Sequence, residues 1–197
     1  MSSESLPTIA ERNREIIAAE AVQLFMRVRD IPYALGLDGN PNKLFVDSLG
    51  NCTRKHLYLI PGLQALGYKI TLGIAEFNWR DLPVPPEVLQ LLKNPVDSHL
   101  FLYASLDGND MTVDATWDSG MPTGFLVNDW NGINSTQIGV PALRIRREDY
   151  HVLHSRAVLL KALSYLRPVK NRLTPFNDAF NYWLGRKLPN LTPGVTL

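Results

Sequence analysis

The chain has 197 residues, of which 45% are hydrophobic, and 20 basic against 19 acidic residues give a net charge of +1. This length and composition fit one globular domain with a full apolar core. The charge balance argues against a protein that mainly grips nucleic acid or an anionic membrane surface. A single cysteine excludes an intramolecular disulfide.

The N-terminal residues and the apolar segments predict a protein without a targeting or membrane segment. Residues 1–7 contain neither a basic leader nor an apolar run, so we expect no secretory signal. No stretch approaches the roughly 18 uninterrupted apolar residues of a membrane span. We therefore expect a cytoplasmic protein with one domain over residues 1–197, which comprises a core of about 9–150 and C-terminal helices at about 155–187.

Capping and turn residues set the boundaries of the predicted elements. Thr8 and Glu11 match the capping box that starts a helix, and Pro61 predicts a kink or a break inside the second helix. Asp107-Gly108 between two β-rich runs is the pattern of a two-residue hairpin turn. Helices followed by a hairpin-containing sheet predict an α+β fold. The expected elements in chain order are a helix over 9–29, a loop over 33–50, a helix from Asn51 to Gly67, a strand over 68–77 with Ile70, Leu72 and Ile74 on one face, a short helix over 87–93, strands over 99–106, 111–117 and 142–145, and helices over 155–166 and 175–187.

Cys52, the single cysteine, is the first candidate for chemistry. It follows Asn51, a good N-cap residue, and so lies in the first turn of the predicted second helix. Unpaired N–H groups and the helix dipole favour a negative charge there, which makes a thiolate available. The alternative interpretation of a lone cysteine is a small buried apolar side chain.

His99 and Asp114 are expected on the same face of the predicted hairpin. With the loop Asp107-Gly108, Asp114 lies opposite Phe101 and diagonal to His99, and with the loop Gly108-Asn109 it lies opposite Tyr103. Both registers place Asp114 on the face of His99, because strand side chains alternate with a period of two. A carboxylate beside an imidazole fixes its tautomer and stabilises its protonated form. The alternative is an ordinary surface His–Asp pair. Together with Cys52, the two residues supply a nucleophile, a base and an orienting group.

The surroundings of these three residues resemble the transglutaminase-like superfamily, whose core is related to papain-like cysteine peptidases. The similar blocks span about residues 24–118 and occur in the family's order. They are Val28-Arg-Asp-Ile-Pro-Tyr33, Gly50-Asn-Cys-Thr-Arg-Lys55 with Leu63-Gln-Ala-Leu-Gly-Tyr68, His99-Leu-Phe-Leu-Tyr103 with Leu106-Asp-Gly108, and Val113-Asp-Ala-Thr-Trp-Asp118.

The resemblance implies both a fold and an activity. The fold is a core in which helices pack on an antiparallel sheet and the cysteine begins a helix. Cys52 would be the nucleophile, His99 the general base and acid, and Asp114 the residue that orients His99. The reaction would pass through a thioester acyl-enzyme formed from a peptide, a protein or a small amide. Water would then give hydrolysis, and an amine would give acyl transfer.

The chain departs from the family pattern at several positions. Thr53 stands where many true transglutaminases carry a tryptophan after the nucleophile, which weighs against protein cross-linking. His56 and Pro61 are unusual within the nucleophile helix, and Val46 stands where papain-type enzymes carry an oxyanion-hole glutamine. The backbone N–H of Cys52 is a natural oxyanion donor at a helix start, and the second donor is unassigned.

Two other functions fit the same residues. One is acyl transfer from a small thioester donor to an arylamine by the same triad, and the other is a non-catalytic binding or scaffold module that keeps the fold. We expect no cofactor, because the chain has no Gly-rich nucleotide motif. We also expect no metal, since His151 and His154 lack further zinc ligands at a recognisable spacing. The sequence leaves the oligomeric state open.

Overall fold

The structure, a computed structural model, describes residues 8–148 and 174–188 and has the α+β architecture expected from the sequence. No helix within these two ranges is long and apolar enough to cross a membrane. Single 3₁₀ turns lie at Pro41–Lys43 and Trp79–Asp81. The helices and strands are α1 (Ile9–Arg29), α2 (Cys52–Ala65), β1 (Lys69–Asn78), α3 (Pro86–Leu89), β2 (Val96–Leu106), β3 (Asn109–Val113), β4 (Ala142–Glu148) and α4 (Pro175–Trp183).

The predicted capping box starts α1. The Thr8 hydroxyl oxygen accepts the N–H of Glu11 at 3.2 Å, and the Glu11 carboxylate accepts the N–H of Thr8 at 2.6 Å. Two of the unpaired donors at the helix start are thereby satisfied. The helix ends at Arg29, with Asp30 as its C-cap, so the predicted range of 9–29 is confirmed.

The four strands form one antiparallel sheet in the order β3-β2-β1-β4. The β2–β3 hairpin closes through Asp107-Gly108, and Leu106 pairs with Asn109. The φ angles of the two turn residues are 53° and 80°. Both angles are positive, as in a type I′ turn, which is why Asp-Gly suits this position. The two-residue loop predicted from the sequence is confirmed.

One side of the sheet packs against α1 and α2. The β1 residues predicted to share a face, Ile70, Leu72 and Ile74, are all buried in this apolar core. Phe25 of α1 and Leu63 of α2 are among the helical residues that meet them. This packing fixes α2, and with it Cys52, relative to the sheet.

The other side of the sheet carries His99 within an aromatic cluster. The ring of His99 lies 6.5 Å from that of Phe77 and 6.2 Å from that of Phe101, measured between ring centroids. Both phenylalanines pack in a second apolar cluster together with Phe176 and Phe180 of α4. The imidazole therefore lies in an environment that contains little water.

Of the kink or break predicted at Pro61, the break is wrong, because α2 continues through this residue. A proline inside a helix removes one backbone hydrogen bond. Ile60 and Leu63 on either side are fully buried, so the packing of this segment outweighs that loss. The contact with α1 is close: a Cβ added to Gly62 would lie 2.4 Å from Leu24 Cδ2.

Gly67 terminates α2 in the manner expected of a helix-ending glycine. Its φ is 92°, in the left-handed region that favours glycine. Its N–H donates to the Gln64 carbonyl and the N–H of Tyr68 donates to the Leu63 carbonyl, each at 3.0 Å. This pair of bonds is a Schellman motif, which satisfies carbonyls at the end of the helix.

Several elements differ in length from the predictions. The strand predicted over 111–117 ends at Val113, because the N–H of Asp114 donates to the Thr136 hydroxyl and not to a strand. The short helix predicted over 87–93 covers only Pro86–Leu89. The strand predicted over 142–145 continues to Glu148, and the helix predicted over 175–187 ends at Trp183. The helix predicted over 155–166, together with His151 and His154, lies outside the described residues.

Candidate active site

Cys52 is the first residue of α2, and Asn51 is the N-cap of that helix. The Asn51 side-chain oxygen accepts the N–H of Arg54 at 2.9 Å, and its amide group donates to the Leu37 carbonyl at 3.2 Å. These bonds tie the start of the helix to the preceding loop. Cys52 is partly exposed to solvent and packs against the apolar core between the helices and the sheet.

A buried arginine fixes the loop that leads to Cys52. Arg54 is 2% exposed and pairs with Asp38 at 2.6 Å and with Asp47 at 2.8 Å. Burial of Asp38 raises its pKa, but hydrogen bonds from Lys43 and Arg54 outweigh this effect and lower the pKa to about 2. Asp38 therefore stays ionised at neutral pH, and its ion pair with Arg54 keeps the loop attached to the first turn of α2.

His99 and Asp114 form a buried pair. His99 Nε2 lies 2.7 Å from Asp114 Oδ2, and the two residues are 2% and 0% exposed. Backbone donors complete the surroundings of the carboxylate: the N–H of Gly139 donates to Oδ2 at 2.7 Å, and that of Thr116 donates to Oδ1 at 3.0 Å. The pairing expected from the hairpin register is therefore present, and the pair is buried and not on the surface.

This pair strongly shifts the pKa values of both residues. Burial alone lowers the pKa of His99, but the charge of Asp114 and its hydrogen bond outweigh burial and raise the pKa to about 10. The nearby Cys52 side chain adds to the increase. Burial raises the pKa of Asp114, yet the interaction with His99 holds it well below its usual range. At neutral pH the structure thus places an imidazolium–carboxylate pair beside the cysteine.

A second buried histidine, His56, lies 3.5 Å from Asp114 Oδ1, measured from His56 Nε2. Its Nδ1 is 2.7 Å from the Cys52 carbonyl oxygen, and its Nε2 is 2.9 Å from the Ala115 amide nitrogen. A carbonyl only accepts and an amide N–H only donates, so Nδ1 carries the proton and the ring is neutral. Burial acts in the same direction and lowers the pKa of His56 to about 4.

Lys55 connects the three chain segments that meet at this site. Its Nζ donates to the Arg29 carbonyl and to the Thr116 carbonyl, each at 2.8 Å. The side chain is fully buried, and burial lowers its pKa to about 7. Lys55 therefore joins the end of α1, the start of α2 and the segment after β3.

Tyr33 connects the same segments at a second point. It forms a parallel bridge with Gly50, and its N–H donates to the Asp118 carboxylate at 2.7 Å. Its ring packs on Trp117 with the centroids 4.5 Å apart.

Val46, at the position where papain-type enzymes carry the oxyanion-hole glutamine, is 81% exposed, so its side chain points into solvent.

The residues that support Asp114 were not predicted from the sequence. The Thr136 hydroxyl accepts the N–H of Asp114 at 2.9 Å, and the Asn128 amide donates to its carbonyl at 3.1 Å. These residues and Gly139 come from a long loop, and no local pattern signals such contacts. His56 did carry a signal, because a histidine four positions after Cys52 lies on the same helix face.

Within residues 8–148 and 174–188, no group of three or more His, Cys, Asp and Glu side chains is placed to hold a metal ion. No family model matches the chain, and no curated protein matches it. The resemblance to the transglutaminase-like superfamily therefore rests on the residues quoted above. The structure brings Cys52, His99 and Asp114 together, and their chemical roles are the subject of the proposal that follows.

Proposed function

We propose that the protein is a cysteine-dependent hydrolase that cleaves an amide or peptide bond through a thioester acyl-enzyme. Cys52 acts as the nucleophile, His99 as general acid and base, and Asp114 as the group that orients His99. One observation carries the proposal: His99 of the buried His99–Asp114 pair interacts with Cys52, a partly exposed residue at the start of a helix. This combination favours a thiolate–imidazolium pair, which is the reactive form of such sites.

In the acylation step, the Cys52 thiolate attacks the substrate carbonyl carbon and forms a C–S bond. Nε2 of His99 faces Asp114, so Nδ1 is the ring nitrogen left for the reacting groups. Nδ1–H gives its proton to the leaving nitrogen as the C–N bond breaks and the amine departs. The backbone N–H of Cys52 supplies one oxyanion donor. The products are the thioester and a neutral His99.

In the deacylation step, water attacks the thioester carbonyl carbon. His99 Nδ1 takes a proton from the water, and the C–S bond breaks to release the carboxylic acid. Cys52 returns to the thiolate and His99 to the imidazolium. Throughout the cycle the proton on Nε2 stays between His99 and Asp114, which keeps the ring orientation fixed.

A panel of peptides and primary carboxamides tests the proposal. Turnover is measured as release of amine or ammonia, and the acyl-enzyme is sought by intact-protein mass spectrometry after acid quenching. We expect turnover and a covalent adduct in the wild type and neither in Cys52→Ala. Circular dichroism should show that the wild type and the variant are equally folded. Turnover retained in Cys52→Ala overturns the assignment of the nucleophile.

The acyl acceptor is tested separately. Addition of a primary amine to the hydrolysis assay shows whether the thioester is also intercepted by amines. Incubation with an acyl-coenzyme A donor and an arylamine distinguishes the hydrolase from the small-molecule transferase, because only the transferase consumes that donor. A chain that forms no adduct with any donor, and whose thiol resists alkylation in the folded state, supports the binding-module alternative.

A further inference from the structure

His56 connects the helix that carries Cys52 to the segment that carries Asp114. The proton on Nδ1 is donated to the Cys52 carbonyl at 2.7 Å, and the lone pair on Nε2 accepts the N–H of Ala115 at 2.9 Å. The residue is fully buried, so water does not compete for either bond. One imidazole thus bridges the backbone carbonyl of Cys52, the proposed nucleophile, and the backbone N–H of Ala115, the residue that follows Asp114.

We propose that His56 is a positioning residue, which holds the Asp114 segment at a fixed distance from the start of α2 and so aligns Asp114 with His99 and Cys52. The inference rests on the proposed function for its consequence in catalysis. Its structural part, the alignment of Asp114 with His99, does not depend on turnover. His56 is fully buried, so it acts through Ala115 and Asp114 and not on the substrate directly.

The bridge works only while His56 is neutral. Protonation of Nε2 would remove the acceptor of the Ala115 N–H and place two donors face to face. The ionisable groups that face the ring are Asp114 at 3.5 Å, His99 with a ring centroid 6.2 Å away, and Lys55 on the same helix. The carboxylate favours the charged form of His56, whereas the two cations and burial oppose it. The neutral form therefore persists beside an ionised aspartate.

Two amide variants separate the two bonds of the bridge. In His56→Gln, the side-chain oxygen reaches about as far from the main chain as Nε2, so it can still accept the Ala115 N–H. In His56→Asn, the amide reaches only as far as Nδ1, so it can contact the Cys52 carbonyl but not Ala115. Both replacements are polar and uncharged, which makes each the matched control of the other.

The first readout is the pKa of His99, measured by NMR titration of the imidazole in a Cys52→Ala background. We expect this pKa to stay near its parent value in His56→Gln and to fall by about one unit or more in His56→Asn, because the Asp114–His99 contact loosens. The second readout is the pH profile of Cys52 alkylation in the protein that retains the thiol. A role in stability alone would lower the melting temperature of both variants and leave the His99 titration unchanged.

Equal His99 pKa values in the parent and in both folded variants overturn the proposal. If His56→Asn fails to fold, the unsubstituted chain decides: the ¹⁵N shifts of His56 at pH 6 must show a neutral ring protonated on Nδ1, and any other form contradicts the bridge. The outcome is separable from that of the proposed function. If the pKa of His99 changes in His56→Asn but the wild type shows no turnover, the positioning role is supported and the proposed hydrolase function is excluded.

Discussion

The two buried histidines beside Asp114 lie in similar surroundings but differ in charge: His99 is an imidazolium and His56 is neutral. His99 on β2 and His56 on α2 are both almost inaccessible to solvent, and Nε2 of each lies within 3.5 Å of an oxygen of the same carboxylate. The pKa of His99 is raised to about 10, whereas burial lowers that of His56 to about 4. Burial cannot account for the difference, because it lowers the pKa of both residues.

The partner of each Nε2 explains the contrast. His99 Nε2 faces the carboxylate directly at 2.7 Å, and a proton there is shared with an anion. His56 Nε2 faces the N–H of Ala115, which is already a donor, and the carboxylate is 3.5 Å away. The nearest partner of Nε2, a carboxylate for His99 and a backbone N–H for His56, therefore distinguishes the charged histidine from the neutral one. The pair teaches that the proposed acid–base residue is selected by hydrogen-bond partners and not by depth in the protein.

Asp114→Asn should leave both histidines neutral at pH 7 and should have the largest effect on activity. Without the carboxylate, burial lowers the pKa of His99 below its ordinary value. The Asn NH2 group donates to Nε2, which leaves the proton on Nδ1, so Nδ1 cannot act as a base. We expect kcat on the best substrate to fall by as much as about 10⁴-fold. The pKa of His56 should fall further, because Asp114 raises it in the wild type.

The matched control is Asp114→Ala, which removes the hydrogen-bond acceptor as well as the charge. Unfolding in urea should show a smaller loss of stability for the Asn variant than for the Ala variant, since the single amide oxygen of Asn can still accept the N–H of either Gly139 or Thr116, whereas Ala accepts neither. Asn and Ala variants with equal stability and unchanged kcat would contradict the orienting role.

His99→Ala should remove the enhanced reactivity of Cys52 at low pH. In the wild type the proposed function predicts fast alkylation by iodoacetamide at pH 6.5, because a thiolate–imidazolium pair is the reactive form of such a site. A free thiol has a pKa of about 8.5 and is only about 1% ionised two units lower, so we expect a fall on the order of 100-fold in the variant. The same reaction in urea-denatured protein gives the reference rate, and equal rates in the two folded proteins refute the ion pair.

Stability should depend on pH in opposite ways through the two histidines. The folded-state pKa of His56 lies below its ordinary value of 6.5, so its contribution is lost as pH falls from about 6.5 towards 4. The folded-state pKa of His99 lies above 6.5, so its contribution is lost as pH rises from 6.5 towards about 10. The lowered pKa of Lys55, about 7, adds stability between pH 7 and 10.5 and opposes the loss from His99.

Urea unfolding at several pH values measures these contributions. At roughly 1.4 kcal/mol per pKa unit, the acid-side loss from His56 is on the order of 3 kcal/mol. His56→Gln cannot titrate, so its stability should decline less steeply than that of the wild type between pH 6.5 and 4. Parallel declines in the two proteins would show that His56 is not neutral in the folded state.

The hairpin that brings His99 to Asp114 was predictable because its signals are local. Asp107-Gly108 fixes a two-residue turn, and the period of two in a strand then sets which side chains share a face. The start of α1 was predictable for the same reason, because a capping box is also a local signal. Even where β3 ended early, at Val113, the register before that point was sufficient to bring the two side chains together.

The rest of the site depends on contacts between distant parts of the chain. The N–H of Gly139 reaches Asp114 across 25 residues, and the N–H of Ala115 reaches His56 across 59. No spacing rule links such positions. The continuation of α2 through Pro61 has the same origin, since tertiary packing outweighs a local preference. His56 was visible as an unusual residue, but its role required the position of Ala115.

Thr136→Val should have the smallest effect and test whether the backbone of Asp114 matters separately from its carboxylate. The Thr136 hydroxyl accepts the N–H of Asp114 at 2.9 Å and donates to the Thr112 carbonyl at 3.2 Å. Valine keeps the shape and leaves a buried N–H without a partner, so we expect a loss of about 1–2 kcal/mol in the free energy of unfolding. The carboxylate keeps its bonds to His99 and Gly139, so the pH profile of Cys52 alkylation should not move. Thr136→Ser keeps the hydroxyl and is the control for stability. A displaced alkylation profile in Thr136→Val, with the Ser variant unchanged, would mean that the main chain at Asp114, and not only its charge, determines which of the two histidines holds the proton.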